Sequence, residues 1–179
     1  ILNVAADHLD FFKDLDDIRH SFRRYAELLP ANGALIINGD IDNLEYFTKD
    51  LDCKVITVGS EESGSMYTAK NITFDEFAHG SYDLYVEGEF KHRVTLKVTG
   101  MHNIYNSLAA IATAHFLNID KEDILNGLEA YGGTDRRFQF KGKLGDITII
   151  DDYAHHPDEI TATLKTAEHY PHTKLWVVF

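Results

Sequence analysis

Hydrophobic residues recur with helical spacing in five stretches of the chain. The first stretch follows Asp14, where Leu15 and Ile18 open a repeat of about 3.6 residues that ends before Pro30. Asp14 is a suitable N-cap, and Asp17 would lie near the positive end of the helix dipole. The other predicted helices are Ile41–Leu51, His102–Asn118, Lys121–Tyr131 and Pro157–Tyr170.

Short apolar runs rich in β-branched residues alternate with these helices. A strand at Ala34–Ile37 and a strand at Lys54–Val58 enclose the second helix, which predicts a right-handed parallel crossover. Period-two alternation in Tyr82–Val86 and Phe90–Val98 predicts an antiparallel hairpin. Further strands are predicted at Ile1–Asn3, Met66–Phe74, Gln139–Lys143 and Ile147–Ile150. The pattern indicates an α/β fold, with a parallel sheet covered by helices and a small antiparallel sheet.

The amino-acid composition limits which classes of binding partner we expect. The chain has 29 Asp and Glu residues against 17 Lys and Arg, a formal net charge of −12. This balance argues against nucleic acid or an anionic membrane as the main partner. No apolar run approaches the ~20 residues of a membrane span, and the start lacks the charged region of a signal peptide. The single cysteine, Cys53, excludes an internal disulfide framework and fits a reducing cytosol, so we expect a cytoplasmic protein with small-molecule partners.

Both ends of the chain interrupt predicted structure. The chain begins at Ile1 without an initiator Met and stops at Leu175–Phe179, an apolar run with no closing turn. We therefore expect a fragment of a longer protein. The chain also contains no GxxxxGK[ST] loop, which by itself argues against a nucleotide hydrolase.

The stretch Ile147–Pro157 carries the densest group of reactive side chains. It reads as a strand that ends in two carboxylates, a phenol and two imidazoles before a proline suited to the first turn of a helix. In open α/β sheets, ligands bind at the carboxyl ends of strands, and Asp151 or Asp152 could accept a hydrogen bond from a ribose hydroxyl. The alternative is that these residues solvate a loop and cap a helix. His155 and His156 do not resemble a zinc pair, because adjacent side chains diverge and no third ligand lies at a recognised spacing.

Three further motifs are candidates for a site. The segment around His8 places an imidazole between carboxylates after a strand, which suits a metal or catalysis, or a solvated loop. Asn103 and Asn106, one helical turn apart, could read the edge of a base such as adenine, whereas ordinary N-capping explains only one polar residue there. Arg136 and Arg137 could grip phosphate oxygens or pair with surface carboxylates.

Taken together, four motifs resemble the Mur ligase family of peptidoglycan synthesis. They are NVAADHLDFF at 3–12, GMHNIYNSLAA at 100–110, GTDRRF at 133–138 and DDYAHHPDEI at 151–160. Their order and intervals cover essentially the whole chain. The double histidine before Pro157 most resembles the motif of the branch that ligates L-alanine to UDP-N-acetylmuramate. The murein-tripeptide recycling ligase ranks second, because it tends to have Phe at the position of Tyr153. A non-catalytic nucleotide-binding α/β module is the remaining alternative.

The resemblance implies a division of the chain into two parts. Residues 1–138 would be the latter part of a central ATP-binding domain, and 139–179 the start of a Rossmann-like C-terminal domain that binds the amino acid. The P-loop would lie upstream of Ile1, so residues 1–179 alone are expected to be inactive. The reaction implied is formation of an acyl phosphate from ATP and the UDP-N-acetylmuramate carboxylate, followed by attack of L-alanine. The Gly132–Arg137 segment would be the hinge for domain closure.

The resemblance also implies roles for individual residues. His8 would be a magnesium ligand, although Ala5 stands where the family usually has Glu, and this departure alters the polar shell around His8. The residues expected around ATP are His102, Asn103 and Asn106 against the adenine, Asp152 at the ribose, and Arg137 with Arg136 at the phosphates. Tyr153 and His155 would face the substrate or the incoming amino acid. Arg137 and His155 are the residues expected to take part in catalysis.

Overall fold

The computed structural model describes residues 1–179 and contains five helices and seven strands. The helices are α1 Leu15–Glu27, α2 Leu44–Thr48, α3 Met101–Phe116, α4 Lys121–Ala130 and α5 Pro157–His169. The strands are β1 Ala34–Asn38, β2 Lys54–Gly59, β3 Tyr67–Phe74, β4 His79–Val86, β5 Glu89–Thr99, β6 Gln139–Leu144 and β7 Ile147–Asp151. Every element predicted from the hydrophobic pattern is present except the strand at Ile1–Asn3.

The helix boundaries follow local capping chemistry. Asp14 caps α1 as predicted, with its Oδ1 accepting the backbone N–H of Asp17 at 3.0 Å. The second helix is shorter than predicted, because Asn43 adopts a left-handed conformation (φ 56°) and Lys49 is extended. His156 caps α5, where its Nδ1 accepts the backbone N–H of Asp158 at 3.3 Å.

The first five strands form one mixed sheet in the order β1-β2-β3-β4-β5. The strands β1, β2 and β3 run parallel, while β3, β4 and β5 pair antiparallel. The predicted parallel pair and hairpin are thus both present in a single sheet, where β3 lies between them and pairs with β2 on one side and β4 on the other. The strands β6 and β7 form a separate antiparallel pair.

The main core lies between this sheet and α3. The buried face of α3 presents Ile104, Leu108 and Ile111 to the sheet residues Tyr82 and Leu84. Full burial of each such side chain contributes about 1.5–3 kcal/mol. A smaller core, formed by Ala26, Leu35, Ile37, Phe47 and Cys53, lies on the α1 and α2 side of the sheet.

The two ends of the chain differ in their contacts. The Ile1 carbonyl accepts the backbone N–H of Asn38 at 2.9 Å, so the first residues run along β1 even though they form no regular strand. At the other end, Val178 and Phe179 are 99% and 92% exposed and lie outside regular structure. No helix combines the length and the apolar composition that crossing a membrane requires.

Helix α5 contacts the larger sheet unit, which is the five-stranded sheet with the helices and loops that pack on it, at three points along its length. At its start, His156 Nε2 donates to the Ala6 carbonyl at 3.2 Å. In its middle, buried Thr166 approaches the tight turn at Gly100, where φ is +88°. At its end, the His169 ring lies 6.2 Å from the Phe74 ring, between centroids. The Thr166–Gly100 contact brings α5 against the start of α3, and a cleft opens beside the two helices.

Candidate active site

A cleft of about 860 Å³ opens where the carboxyl end of β5, the start of α3, the segment 131–140 and α5 meet. Its polar walls include five of the residues predicted to contact a nucleotide, namely His102, Asn103, Asn106, Arg137 and Asp152. Its aromatic walls are formed by Phe77, Tyr131, Phe138, Phe140 and Tyr170. A concave surface that combines aromatic side chains with convergent polar groups is typical of a small-molecule site.

Asn103 and Asn106 form a linked pair of amides at the start of α3. Asn103 Nδ2 donates to the Thr99 carbonyl at 2.8 Å, which ties the side chain to the end of β5. Its Oδ1 accepts Asn106 Nδ2 at 3.2 Å. Each amide therefore keeps hydrogen-bonding groups for a ligand while its orientation is restricted by the protein. This is a suitable arrangement for reading the edge of a planar base.

His102 lies in the same cleft as the charged side chains of Asp152 and Arg137. Burial lowers the pKa of His102 below its ordinary value; Asp152 opposes this shift and Arg137 adds to it. The lowered pKa favours a neutral imidazole, which can donate one hydrogen bond and accept another. His102, Arg137 and Asp152 line one cleft, so the motifs at 100–110, 133–138 and 151–160 converge in space.

Asp152 connects the segment that contains Phe138 with the segment that follows β7. Its Oδ2 accepts the backbone N–H of Phe138 at 2.7 Å, and its Oδ1 accepts the backbone N–H of Ala154 at 2.8 Å. A carboxylate oxygen has a second lone pair, so each oxygen could still accept a hydroxyl from a ligand. The backbone bonds hold the carboxylate at the cleft and connect it to the segment that carries Arg137.

The two arginines point to different surroundings. Arg137 lines the cleft, and its Nη1 donates to Glu159 Oε1 at 3.3 Å. Arg136 has φ +59° and is not among the lining residues. Its guanidinium carbon lies 4.5 Å from the centre of the Tyr153 ring, and its Nε is 3.9 Å from Asp151 Oδ2. The structure thus puts Arg137, but not Arg136, on the cleft.

Tyr153 and His155 lie beside the cleft rather than within its lining. Their rings make an edge contact with centroids 5.1 Å apart. His155 Nδ1 lies 3.0 Å from the Tyr153 carbonyl, and the His155 backbone N–H donates to Glu159 Oε2 at 3.3 Å. Glu159 lines the cleft, so it separates this pair from the predicted nucleotide contacts.

His8 lies on an exposed loop in a left-handed conformation (φ 51°). Its Nε2 is 3.8 Å from Asp7 Oδ2, and its side chain is 72% exposed. No group of three or more His, Cys, Asp or Glu side chains is arranged to hold a metal ion. Mg²⁺ requires six ligands, mostly oxygens from carboxylates, phosphates and water. His8 can supply one ligand of such a site, and phosphate oxygens and water would supply most of the others.

The hairpin bend between β3 and β4 contributes cleft residues that the sequence motifs did not indicate. Phe77 and His79 both line the cleft. His79 Nδ1 lies 2.9 Å from Asp75 Oδ2, and Asp75 Oδ1 also accepts the backbone N–H of Phe77 at 2.9 Å. An Asp followed four residues later by His was the only signal in the sequence, and it is too common to indicate a site.

Two family profiles match the chain. The Mur ligase middle domain matches residues 1–114, and the Mur ligase glutamate ligase domain matches residues 136–179. Among solved structures, UDP-N-acetylmuramate-alanine ligase MurC from Thermotoga maritima has a TM-score of 0.74 and 30% identity, covering 91% of this chain and 36% of that one. A murein peptide ligase from Psychrobacter arcticus has a TM-score of 0.65 and 28% identity, covering 88% of this chain and 33% of that one.

Curated relatives match the whole chain at higher identity. UDP-N-acetylmuramate–L-alanine ligase from Lachnospira eligens is 58% identical over 179 residues, which are 100% of this chain and 39% of that protein. The ligase of the same name from Agathobacter rectalis is 52% identical over the same shares. The chain thus spans about 39% of the length of these relatives. The matched profiles, the shared fold and this identity establish that the chain belongs to the Mur ligase family.

Proposed function

We propose that the chain is part of an ATP-dependent ligase that joins L-alanine to the carboxylate of UDP-N-acetylmuramate during peptidoglycan precursor synthesis. The observation that carries the proposal is the convergence of His102, Asn103, Asp152 and Arg137 on one cleft. The identity of 58% and 52% to two ligases of this name supports the choice of branch. We assign residues 1–138 to the central ATP-binding domain and 139–179 to the C-terminal domain.

The cleft offers each part of ATP a matching group. The linked amides of Asn103 and Asn106, with His102 beside them, suit the edge of the adenine ring. The Asp152 carboxylate suits a ribose hydroxyl, because its oxygens keep lone pairs beyond the two backbone bonds. Arg137 suits the phosphates, since its guanidinium is permanently charged and partly exposed. The MurF ligase of Thermotoga maritima, whose structure was solved in complex with ADP, shares this fold at a TM-score of 0.76 and 19% identity.

The surface beyond Glu159, where Tyr153 and His155 lie, is suited to binding the amino acid. Tyr153 and His155 would contact the incoming L-alanine or the lactyl carboxylate next to it. In the proposed reaction, ATP phosphorylates that carboxylate, and the amine then displaces phosphate through a tetrahedral intermediate. Arg137 offsets negative charge as the phosphoryl group moves. Exclusion of water from the cleft would protect the acyl phosphate from hydrolysis.

Magnesium is proposed as the companion of ATP, with His8 as a single ligand beside phosphate oxygens and water. Replacing His8 with Ala in the full-length ligase should raise the Mg²⁺ concentration required for half-maximal turnover. A magnesium titration unchanged by this substitution would remove His8 from the metal shell.

The proposal is tested by ADP release from a full-length ligase that contains this chain. ADP should accumulate through repeated turnovers only when UDP-N-acetylmuramate and L-alanine are both present, and the product should contain alanine. Preferential use of the L-alanyl-γ-D-glutamyl-meso-diaminopimelate tripeptide would instead support a recycling ligase. Nucleotide binding without any ligation would favour the non-catalytic module, as would a gene lacking GxxxxGK[ST] upstream of Ile1. Residues 1–179 alone should show no ligation.

A further inference from the structure

His79 lies at the edge of the sheet where ligands bind in folds of this kind. The strands β1, β2, β3 and β5 run parallel to one another, so their carboxyl ends meet at one edge. Strand β4 runs the opposite way, and its first residue, His79, therefore lies at that same edge, paired with Thr99 at the end of β5. Ligands of open α/β sheets bind outside the carboxyl ends of the strands, and His79 lines the cleft that opens there.

The Asp75 carboxylate sets the tautomer of the His79 ring. Its Oδ1 accepts the backbone N–H groups of Phe77 at 2.9 Å and of His79 at 2.8 Å, and its Oδ2 lies 2.9 Å from His79 Nδ1. Burial raises the pKa of Asp75, but these hydrogen bonds outweigh that effect, so the net pKa lies below its ordinary value. An ionised carboxylate can only accept, so Nδ1 of the neutral ring carries the proton and Nε2 keeps its lone pair. Nε2 has no hydrogen-bond partner within the chain, and the side chain is 34% exposed.

His79 is connected through the sheet to the amides that are proposed to bind adenine. Its partner in β5, Thr99, supplies the carbonyl that accepts Asn103 Nδ2 at 2.8 Å. Asn103 Oδ1 in turn accepts Asn106 Nδ2 at 3.2 Å, so the Asn106 amide is oriented with its Oδ1 free. An amide with a free oxygen and a remaining N–H matches the exocyclic amine and N7 of adenine. That amine carries two protons, and Asn106 Oδ1 accepts only one of them.

The aromatic neighbours of His79 are suited to a flat ligand group. The His79 ring centroid lies 6.2 Å from that of Phe77, which lies 5.8 Å from that of Tyr170. The Tyr170 ring lies 5.9 Å from the Phe138 ring, and the Phe138 backbone N–H donates to Asp152. Aromatic side chains thus extend along the cleft from the proposed ribose contact to His79. Because bases stack on aromatic rings, these neighbours favour a nucleobase rather than a phosphate beside His79.

We propose that His79 Nε2 accepts the second proton of the adenine exocyclic amine and thereby selects adenine over purines that have a carbonyl at that position. The inference deepens the proposed function and rests on it, since that function supplies ATP as the ligand. Asp75 is a positioning residue, because it holds the ring proton on Nδ1 and so keeps Nε2 an acceptor. A purine carbonyl would place its oxygen against the Nε2 lone pair, and two acceptors repel each other.

Binding of ADP and of inosine diphosphate (IDP) to the full-length protein tests this contact, since IDP has a carbonyl in place of the exocyclic amine. Isothermal titration calorimetry in the presence of Mg²⁺ should give a lower Kd for ADP than for IDP in the wild-type protein. His79→Leu should reduce this preference for ADP by about tenfold, the size of one hydrogen bond. Both nucleotides are measured on the same variant, so a folding defect would weaken both equally and leave their ratio unchanged.

Asp75→Asn separates the proposed positioning role from a structural one. If the Asn oxygen keeps the backbone N–H groups of Phe77 and His79, the Asn Nδ2 faces His79 Nδ1 and donates to it. The ring proton then lies on Nε2, which becomes a donor, as when a carboxylate that orients a histidine is replaced by its amide. A donor at Nε2 suits the carbonyl of IDP and repels the amine of ADP. Asp75→Asn should therefore shift the preference towards IDP further than His79→Leu does.

The matched control is Glu89→Gln. Glu89 also pairs with a basic side chain of the same sheet, Lys91, but lies outside the cleft lining, so both Kd values should be unchanged. An unchanged ratio of the two Kd values in both His79→Leu and Asp75→Asn would overturn the inference, even in a protein that ligates L-alanine. Equal affinity of the wild-type protein for ADP and IDP would also overturn it. If the wild-type protein prefers ADP through His79 but forms no amide, the ligase function fails while the base contact stands.

Discussion

A β-carbon added to Gly100 would lie 2.6 Å from Thr166 Oγ1. Gly100 begins α3 with φ +88°, and Thr166 is buried on α5. The absence of a side chain at Gly100 therefore allows two helices from different parts of the chain to meet beside the cleft.

Gly100→Ala should destabilise the protein for two reasons. The backbone conformation of Gly100, φ +88° and ψ +155°, costs about 1–3 kcal/mol for a residue with a β-carbon, and the contact with Thr166 adds to this cost. Urea denaturation monitored by circular dichroism would measure the loss in free energy of unfolding. Gly64→Ala is the control, because Gly64 also has a positive φ (+64°) but no atoms within 4 Å of the added β-carbon. Equal losses in both variants would show that Thr166 does not restrict Gly100.

The two arginines should differ in their effects on ATP. Arg137→Ala removes a permanently charged donor from the cleft and should raise the KM for ATP at least about tenfold. Arg136→Ala is the matched control, since its guanidinium stacks on Tyr153 outside the cleft lining. Its KM for ATP should stay within about twofold of wild type. Steady-state kinetics with varied ATP would measure both, and equal effects would support the sequence-based prediction that both arginines contact phosphate.

Asp152→Ala should affect ATP more than the amino acid. The substitution removes the proposed ribose contact and also leaves the Phe138 and Ala154 N–H groups without their acceptor. We expect a higher KM for ATP, a smaller change for L-alanine, and a loss of about 1–3 kcal/mol in the free energy of unfolding. Asp152→Asn should be milder, because its amide oxygen can keep one backbone bond. An unchanged KM for ATP in the alanine variant would refute the ribose assignment.

The protein should lose stability as the pH falls below neutrality. Burial lowers the pKa values of His92, His102 and His115 from their ordinary value of 6.5. Below pH 6.5 the unfolded state therefore binds more protons than the folded state, so the free energy of unfolding decreases until the folded-state pKa values are passed. His92 Nε2 is buried without a hydrogen-bond partner. His92→Leu should thus retain stability at about pH 8 and weaken the decline between about pH 7 and about pH 5.

Urea titrations at several pH values would measure this dependence. His20→Gln, a substitution of an exposed histidine, should leave the decline unchanged. A His92→Leu variant with the same decline as wild type would exclude His92 as a source of the acid sensitivity.

Local rules predicted most elements because the sequence and tertiary packing agree there. Asp14 caps α1, His156 caps α5, and the alternating runs form the β4–β5 hairpin. The length of the second helix was overestimated, because its apolar spacing already begins before Asn43. Asn43 adopts a left-handed backbone conformation, which hydrophobic periodicity does not indicate. Likewise, the hydrophobic pattern did not indicate that the parallel and antiparallel strands share one sheet, since the pairing of β3 with both β2 and β4 depends on tertiary contacts.

The candidate site was predictable where a motif carried its residues. The family resemblance grouped His102, Asn103, Arg137 and Asp152, and the structure brings these four to one cleft. The resemblance did not indicate His79, which follows a bend at Ala78 (φ +61°) and lines the cleft. Nor did it indicate that Glu159 connects Arg137 with His155, because that contact depends on how α5 packs. The roles assigned to His8, Arg136 and Tyr153 remain predictions.

The contact between His156 and Ala6 joins residues 150 positions apart. Contacts of such large sequence separation form slowly, because a long loop must close before they contribute any stability. During synthesis, α5 emerges after the segments that carry Ala6, Phe74 and Gly100, so the larger sheet unit has time to fold before its partner surface arrives. The cleft is therefore expected to be completed late in folding, by the docking of α5 onto a surface that is already formed.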